Sequence, residues 1–138
     1  MTDLRRRTVP RRLVAAGIAA QLAVWMLLAW TGADPAAPLR AAAGLVCGAG
    51  VQLVLALVRP GALGFGDVTA SALVGCVVGA FGAVTFVRWW LLMGVCGLLW
   101  LAIWPRYAKR RPGVDARAPF VPVIVAAGVF AVLAAVAG

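Results

Sequence analysis

Five long apolar segments, separated by prolines, glycines and charged residues, make up most of this 138-residue chain. Only 12% of the residues are charged, 64% are hydrophobic, and the mean hydropathy is +1.02. A helix that crosses a bilayer needs about 20 mostly apolar residues, whereas a soluble domain needs more polar surface than this chain has. The sequence therefore predicts an all-α transmembrane helix bundle of about five spans in a single domain, 1–138. The predicted spans are 13–31, 39–58, 68–87, 89–104 and 120–137.

The basic residues are distributed unevenly around these segments. Of thirteen Lys and Arg residues, all but Arg40 and Arg88 lie before the first span, after the second, or between the fourth and fifth. Cytoplasmic loops retain Lys and Arg, so the N-terminus is predicted to be cytoplasmic and the C-terminus outside. The net charge of +9 does not indicate nucleic acid here, because the basic residues flank hydrophobic spans without an aromatic or Gly-rich pattern. Anionic lipid headgroups are the predicted partner.

Few polar side chains interrupt the predicted spans. Cys47, Cys76 and Cys96 form no CxxC pair and the chain has no His, so we interpret them as packing residues and expect no metal site. Gln21 and Gln52 would be candidates for a transporter or channel pathway, but such residues more often join helices by hydrogen bonds. Trp30, Trp89, Trp90 and Trp104 fall near predicted span ends, where indole rings favour the membrane interface.

Four aspartates are the only acidic residues of the chain. Asp34 and Asp115 fall in predicted loops, and we interpret them as solvated charges. Asp3 and Asp67 are separated by two spans, so both should lie at the same membrane face. Two carboxylates at one depth can share a proton, one acting as base toward water while the other donates to a carbonyl. The alternatives are a helix cap for Asp67 and a solvated ion pair with the neighbouring arginines for Asp3.

The segment that presents Asp67 is rich in glycine. In the sequence GFGDV, Gly64 and Gly66 would allow a positive φ angle and the close approach of another backbone. Such an approach is what a protease requires of an extended peptide. The pattern of four residues is weak evidence when taken alone.

Three motifs in order resemble those of type IV prepilin peptidases. The segment DLRRRTVP from Asp3 resembles the D-L-R-x-x-x-I/L-P segment around that family's first catalytic aspartate, and GFGDV resembles its GxGDVK motif. The segment APFVP from Ala118 is similar to the late P-F-G-P motif at the start of the last span. The resemblance covers nearly the whole chain.

The resemblance implies a membrane aspartic endopeptidase of the bacterial plasma membrane. Such an enzyme removes the basic leader of prepilin-like precursors (pilins and pseudopilins) at the cytoplasmic face, in type IV pilus assembly and protein secretion, and uses no metal or other cofactor. Asp3 and Asp67 would be the catalytic dyad. The residues expected to shape the site or position the substrate are Gly64, Phe65, Gly66, Val68, Pro119 and Phe120.

The chain also departs from the family pattern. Thr69 replaces the usual lysine and Val121 replaces a glycine of the late motif. Only Met1 and Thr2 precede Asp3, which suggests an upstream hydrophobic span or a shortened form, and the cysteine-rich methylating domain of longer relatives is not expected. The alternative is therefore a catalytically silent membrane homologue that acts as a subunit in pilus or secretion assembly. Cleavage of the N-terminal segment near Ala33 as an export signal is a further alternative, disfavoured by the length of the first apolar run.

Overall fold

The computed structural model describes residues 11–58, 64–110 and 119–138, and in these ranges every regular element is an α-helix. No strand occurs in them, so the predicted all-α class is confirmed. The five helices are α1 (Arg11–Trp30), α2 (Ala37–Val58), α3 (Phe65–Ala80), α4 (Ala83–Lys109) and α5 (Val121–Ala137).

Length and composition allow three of the described helices, α1, α2 and α4, to cross a membrane. The other two, α3 and α5, are apolar but shorter, at 16 and 17 residues. Large apolar side chains cover the outside of the bundle: Leu57 is 70% exposed, Leu98 72% and Phe130 64%. An apolar outer surface suits lipid rather than water. The chain is therefore a membrane protein.

Helix α3 lies at the centre of the bundle, with α1 and α2 on one side and α4 and α5 on the other. On the first side, its Cys76 and Ala80 are buried together with Ala41 of α2. On the second side, a larger apolar cluster joins all three helices through its fully buried side chains. Its buried members are Val78, Trp89, Met93, Val123, Ile124, Ala127 and Ala131.

Small residues bring the backbones of α2 and α3 into direct contact. Gly44 and Gly48 on α2 lie against Gly75 and Gly79 on α3. A Cβ atom added at Gly48 would lie 2.6 Å from the carbonyl oxygen of Ser71, which is closer than real Cβ contacts occur. Both helices thus carry a small-xxx-small pattern of the kind that lets membrane helices approach closely. We call this contact the glycine seam.

Helices α1 and α3 run parallel with a fixed register. A Cβ atom added at Gly17 would lie 2.9 Å from Cδ1 of Leu73, and the rings of Trp25 and Phe81 have centroids 6.0 Å apart. The two contacts lie the same number of residues apart on both helices. The beginnings of α1 and α3 are consequently at the same end of the bundle.

The boundary between the third and fourth helices differs from the prediction. The sequence pattern predicts a break at Arg88, with spans 68–87 and 89–104, but the chain turns at Phe81 and Gly82. Gly82 has φ +108°, a conformation that L side chains rarely adopt. A single arginine does not end an apolar helix, and Arg88 lies exposed within α4. The predicted end at Trp104 is also wrong, since α4 continues through Pro105 to Lys109.

The tryptophans divide between the surface and the core. Trp30 is 90% exposed at the end of α1, as predicted for an interfacial residue. Trp89 is fully buried, and its indole N–H donates a 3.1 Å hydrogen bond to the carbonyl oxygen of Ile124. The interfacial prediction for Trp89 is therefore wrong, because its polar atom finds a partner within the bundle instead of at the membrane surface.

The cysteines also divide. Cys76 is buried in the apolar cluster between α1, α2 and α3, so the packing interpretation is confirmed for it. Cys47 and Cys96 are exposed on the outside of α2 and α4, and for them that interpretation is wrong. Both stand on helix faces that no other described helix covers, which is where an apolar residue can face lipid.

Candidate active site

Asp67 lies in the first turn of α3, the central helix, and is partly buried. Its Oδ2 accepts a hydrogen bond of 3.1 Å from the backbone N–H of Gly64, and its own N–H donates to the Gly64 carbonyl oxygen at 2.9 Å. The free N–H groups and the dipole at a helix N-terminus stabilise a carboxylate in this position. The interpretation of Asp67 as a helix-capping residue is thus confirmed. The capping bond uses Oδ2, so a chemical role for Oδ1 is still possible.

The two glycines around Asp67 have ordinary backbone conformations. Gly64 has φ −85° and ψ 152°, and Gly66 lies within the helix, so neither adopts the positive φ that glycine allows. What Gly66 provides is space among the described residues: apart from its chain neighbours and the backbone of its own helix, none of them has an atom within 4 Å of the Cβ that an alanine would place there. None of the described residues outside α3 therefore fills the space beside Gly66, next to Asp67.

Thr69 occupies the position where the family pattern has lysine. Its Oγ1 donates a 2.9 Å hydrogen bond to the carbonyl oxygen of Gly66, one turn earlier in the same helix. This contact is internal to α3. Thr69 thus adds no positive charge near Asp67.

The other motif residues have different surroundings. Phe65 is 78% exposed, next to Asp67 in the chain, whereas Val68 is buried at 9% exposure. Pro119 and Phe120 are held by α4: the Trp100 indole N–H donates to the Pro119 carbonyl oxygen at 3.0 Å, and the Phe120 ring lies over Gly97. These two residues fix the start of α5 on the bundle. No hydrogen bond between them and Asp67 occurs in the described ranges.

Helices α1, α3 and α5 all begin at one end of the bundle, where α2 and α4 finish, and we call this the Asp67 end. The register of α1 on α3 places Arg11 at the axial level of Asp67. Asp3 lies outside the described residues, eight positions before Arg11. Eight residues span at most about 26 to 29 Å, so the chain gives Asp3 enough reach to meet Asp67, and its position remains a prediction.

Asp34 lies at the opposite end. Its Oδ2 pairs with Nη2 of Arg40, and the Arg40 Nε donates a 3.0 Å hydrogen bond to the carbonyl oxygen of Ala80 in the last turn of α3. The prediction that Asp34 is only a solvated charge is therefore wrong: it orients an arginine that satisfies the C-terminus of the central helix. Asp115 lies outside the described residues.

Two buried polar side chains near the glycine seam, those of Gln52 and Ser71, are not among the site residues predicted from the sequence. Gln52 is 2% exposed and Ser71 is fully buried. Gln52 Nε2 makes only a weak 3.8 Å contact with Sδ of Met93, and Gln52 Oε1 and Ser71 Oγ have no partner among the described residues. Gln52 continues the four-residue spacing of Gly44 and Gly48, a signal that could have placed it at the seam. The interpretation of Gln52 as a hydrogen-bonded link between helices is confirmed by its Nε2–H donating to Sδ of Met93, which joins α2 to α4.

Within the described ranges, no group of three or more His, Cys, Asp or Glu side chains could hold a metal ion. Protein ligands for a catalytic metal would normally come from such a group.

The fold and the site together define a helical membrane protein with a partly buried carboxylate at the start of its central helix. The chain matches the type IV leader peptidase family over residues 1–136 and belongs to that family. The family resemblance that the three motifs carry is thereby confirmed. Searches of curated proteins and of solved structures found no significant match.

Proposed function

We propose that this chain is an aspartic endopeptidase that removes the basic leader of prepilin-like precursors at the cytoplasmic face of the bacterial plasma membrane. The observation that carries the proposal is the position of Asp67: a partly buried carboxylate at the end of the bundle where α1 also begins, with no side chain of another described helix within 4 Å of the Cβ position at Gly66. Membership of the type IV leader peptidase family supports a peptidase function. Asp3 would supply the second carboxyl group.

The proposed reaction is attack of water on an amide. One ionised carboxylate takes a proton from water while the other, protonated carboxyl donates to the carbonyl oxygen of the scissile bond. Collapse of the tetrahedral intermediate breaks the C–N bond, and the amine leaves with a proton returned by the carboxyl pair. Because the Gly64 N–H holds Oδ2 of Asp67, Oδ1 would be the oxygen that acts on water.

The cytoplasmic placement of the Asp67 end is supported by charge. The last turn of α4 and the residue after it carry Arg106, Lys109 and Arg110 at that end. Basic residues are retained on the cytoplasmic side of membrane proteins and attract anionic headgroups. We therefore propose anionic lipids as partners of this end.

The test is leader cleavage of a co-expressed prepilin-like substrate in membranes. Asp67→Asn and Asp3→Asn keep the side-chain shape but remove the carboxyl chemistry, and each should abolish cleavage, a loss of at least about a thousandfold. Asp34→Asn is the matched control, since it makes the same change at the opposite end and should retain cleavage. Loss in Asp67→Asn alone would mean that Asp3 is misassigned.

A catalytically silent homologue is the second candidate, and Thr69 is the observation that favours it. Its hydroxyl bonds within α3, so the positive charge implied by the family pattern is missing beside the site. On this alternative the wild type would bind the precursor without cutting it. A co-purified, uncleaved precursor would support the silent function, and cleavage by the wild type would exclude it.

A further inference from the structure

The buried end of the glycine seam contains two hydrogen-bonding atoms that the fold leaves unpaired. They are Oε1 of Gln52 on α2 and Oγ of Ser71 on α3. Buried polar groups in folded proteins nearly always have a partner, and an unpaired one is destabilising, more so at membrane depth. Two such atoms on facing helices can therefore accept a hydrogen bond that the described contacts do not supply.

The register of the seam places this pair next to Asp67. Because α2 and α3 run in opposite directions, a contact four residues further along α2 is made four residues earlier on α3. Gly44 lies against Gly75 and Gly79, and Gly48 lies against Ser71 and Gly75. The next step along α2 is Gln52, which this register, continued by one turn, would bring opposite the turn of α3 between Asp67 and Ser71.

The packing around Gln52 keeps its side chain inside the bundle. Gln52 is 2% exposed, with Met93 of α4 touching its amide nitrogen. The aromatic ring of Trp89 lies within 3.4 Å of the Cβ position at Gly48, one turn away. The Gln52 side chain thus contacts α4. An amide oxygen in this position can accept a hydrogen bond. Gln52 Oε1 has no donor among the described residues.

We propose that Gln52 and Ser71 are positioning residues that accept the hydrogen bond of the Asp67 carboxyl when it is protonated. In the described geometry Asp67 accepts a hydrogen bond from the Gly64 N–H, which suits the ionised form. A protonated carboxyl has an O–H that requires an acceptor. Gln52 Oε1 is the buried acceptor on the facing helix, and Ser71 Oγ lies one turn from Asp67 on its own helix. Asp67 would therefore have one set of partners for each protonation state.

This inference goes deeper into the proposed function, since each carboxyl of an aspartic dyad must take up and release a proton in every cycle. Its test does not require cleavage. The carboxyl C=O stretching band of protonated Asp67 can be assigned by infrared difference spectroscopy, through its loss in Asp67→Asn, in a chain with only four acidic residues. Gln52→Met removes the acceptor at nearly constant volume and should shift this band to higher frequency.

Gln21→Met is the matched control. Gln21 Oε1 is also buried and unpaired, but Gln21 lies midway between Gly17 and Trp25, which contact Leu73 and Phe81. That register puts it level with Val77, about 15 Å along the helix axis from Asp67. The control should leave the Asp67 band in place. A band that is unmoved in Gln52→Met would overturn the proposal, whether or not the wild type cleaves a precursor.

Kinetics and stability provide the second measurement if the wild type is active. Loss of the acceptor should lower kcat by about 10- to 100-fold with KM within about twofold, because the change misplaces a reacting group rather than the substrate. The melting temperature should stay equal or rise, since an apolar side chain replaces an unpaired polar one. A lower melting temperature with unchanged kcat would identify Gln52 as a structural residue only.

Discussion

At the scale of single residues, the surroundings of Asp67 show what a short motif does and does not predict. The motif predicts a carboxylate at the start of a helix, and the structure places it there with a reciprocal hydrogen-bond pair to Gly64. The motif also suggests glycines with positive φ, and both glycines have conformations that any residue could adopt. These glycines matter because they have no side chain, and not because they adopt an unusual backbone conformation. A local sequence pattern cannot tell these two roles of glycine apart.

Replacement of Gly66 tests this difference. Gly66→Ala should stabilise the helix by about 0.5–1 kcal/mol, because alanine loses less conformational freedom than glycine in a helix and no neighbour lies within 4 Å of the new methyl group. Cleavage should nevertheless fall severalfold, since the methyl group occupies the space beside Asp67. Melting temperature and leader cleavage should be measured on the same preparation. Unchanged cleavage would mean that the substrate does not approach along this side.

At the scale of helices, hydropathy predicts that five elements exist but not where the third and fourth meet. The charge of Arg88 predicts the end of a helix at this position. A single arginine can nevertheless remain on the surface of a helix that continues. The actual turn depends on Gly82 and its positive φ, a property that sixteen glycines in the chain could in principle share. The hydrogen bond from the Trp89 indole to the Ile124 carbonyl oxygen then holds α4 against α5.

The glycine seam leads to a prediction about helix association. Gly48→Ala should destabilise the bundle by about 1–3 kcal/mol, because the new Cβ would overlap the Ser71 carbonyl oxygen and the backbones would have to separate. Gly50→Ala makes the same change two residues away, where nothing lies within 4 Å, and should be neutral or stabilising. Thermal unfolding in detergent measures both. Equal stabilities would contradict the close contact between α2 and α3.

At the scale of the whole molecule, the composition predicts a membrane bundle and the order of motifs predicts the family. The sequence did not reveal the contacts between distant segments, such as Arg40 with Ala80 or Gln52 with Met93. These depend on the register between α2 and its neighbours, which hydropathy does not encode. Asp3 lies outside the described residues, so its pairing with Asp67 rests on topology and on the resemblance.

Membrane orientation is the prediction that belongs to this scale. Alkaline phosphatase fused after Gly138 should be active, because the C-terminus is expected outside, whereas the same enzyme fused after Arg110 should be inactive. Green fluorescent protein at the two positions should give the reverse pattern. An active phosphatase after Arg110 would place the Asp67 end outside and would be incompatible with cleavage at the cytoplasmic face.

Direct backbone contact along the glycine seam has a consequence for the depth of Asp67 in the bilayer. Because the backbones of α2 and α3 touch at the glycine seam, a slide or tilt of one helix would move the other with it. Helix α3 has only 16 residues, whereas α2 has 22 apolar-rich residues that must match the hydrocarbon thickness. If α2 spans the bilayer, the thickness of the surrounding lipid would act through α2 on the depth of the Asp67 carboxyl.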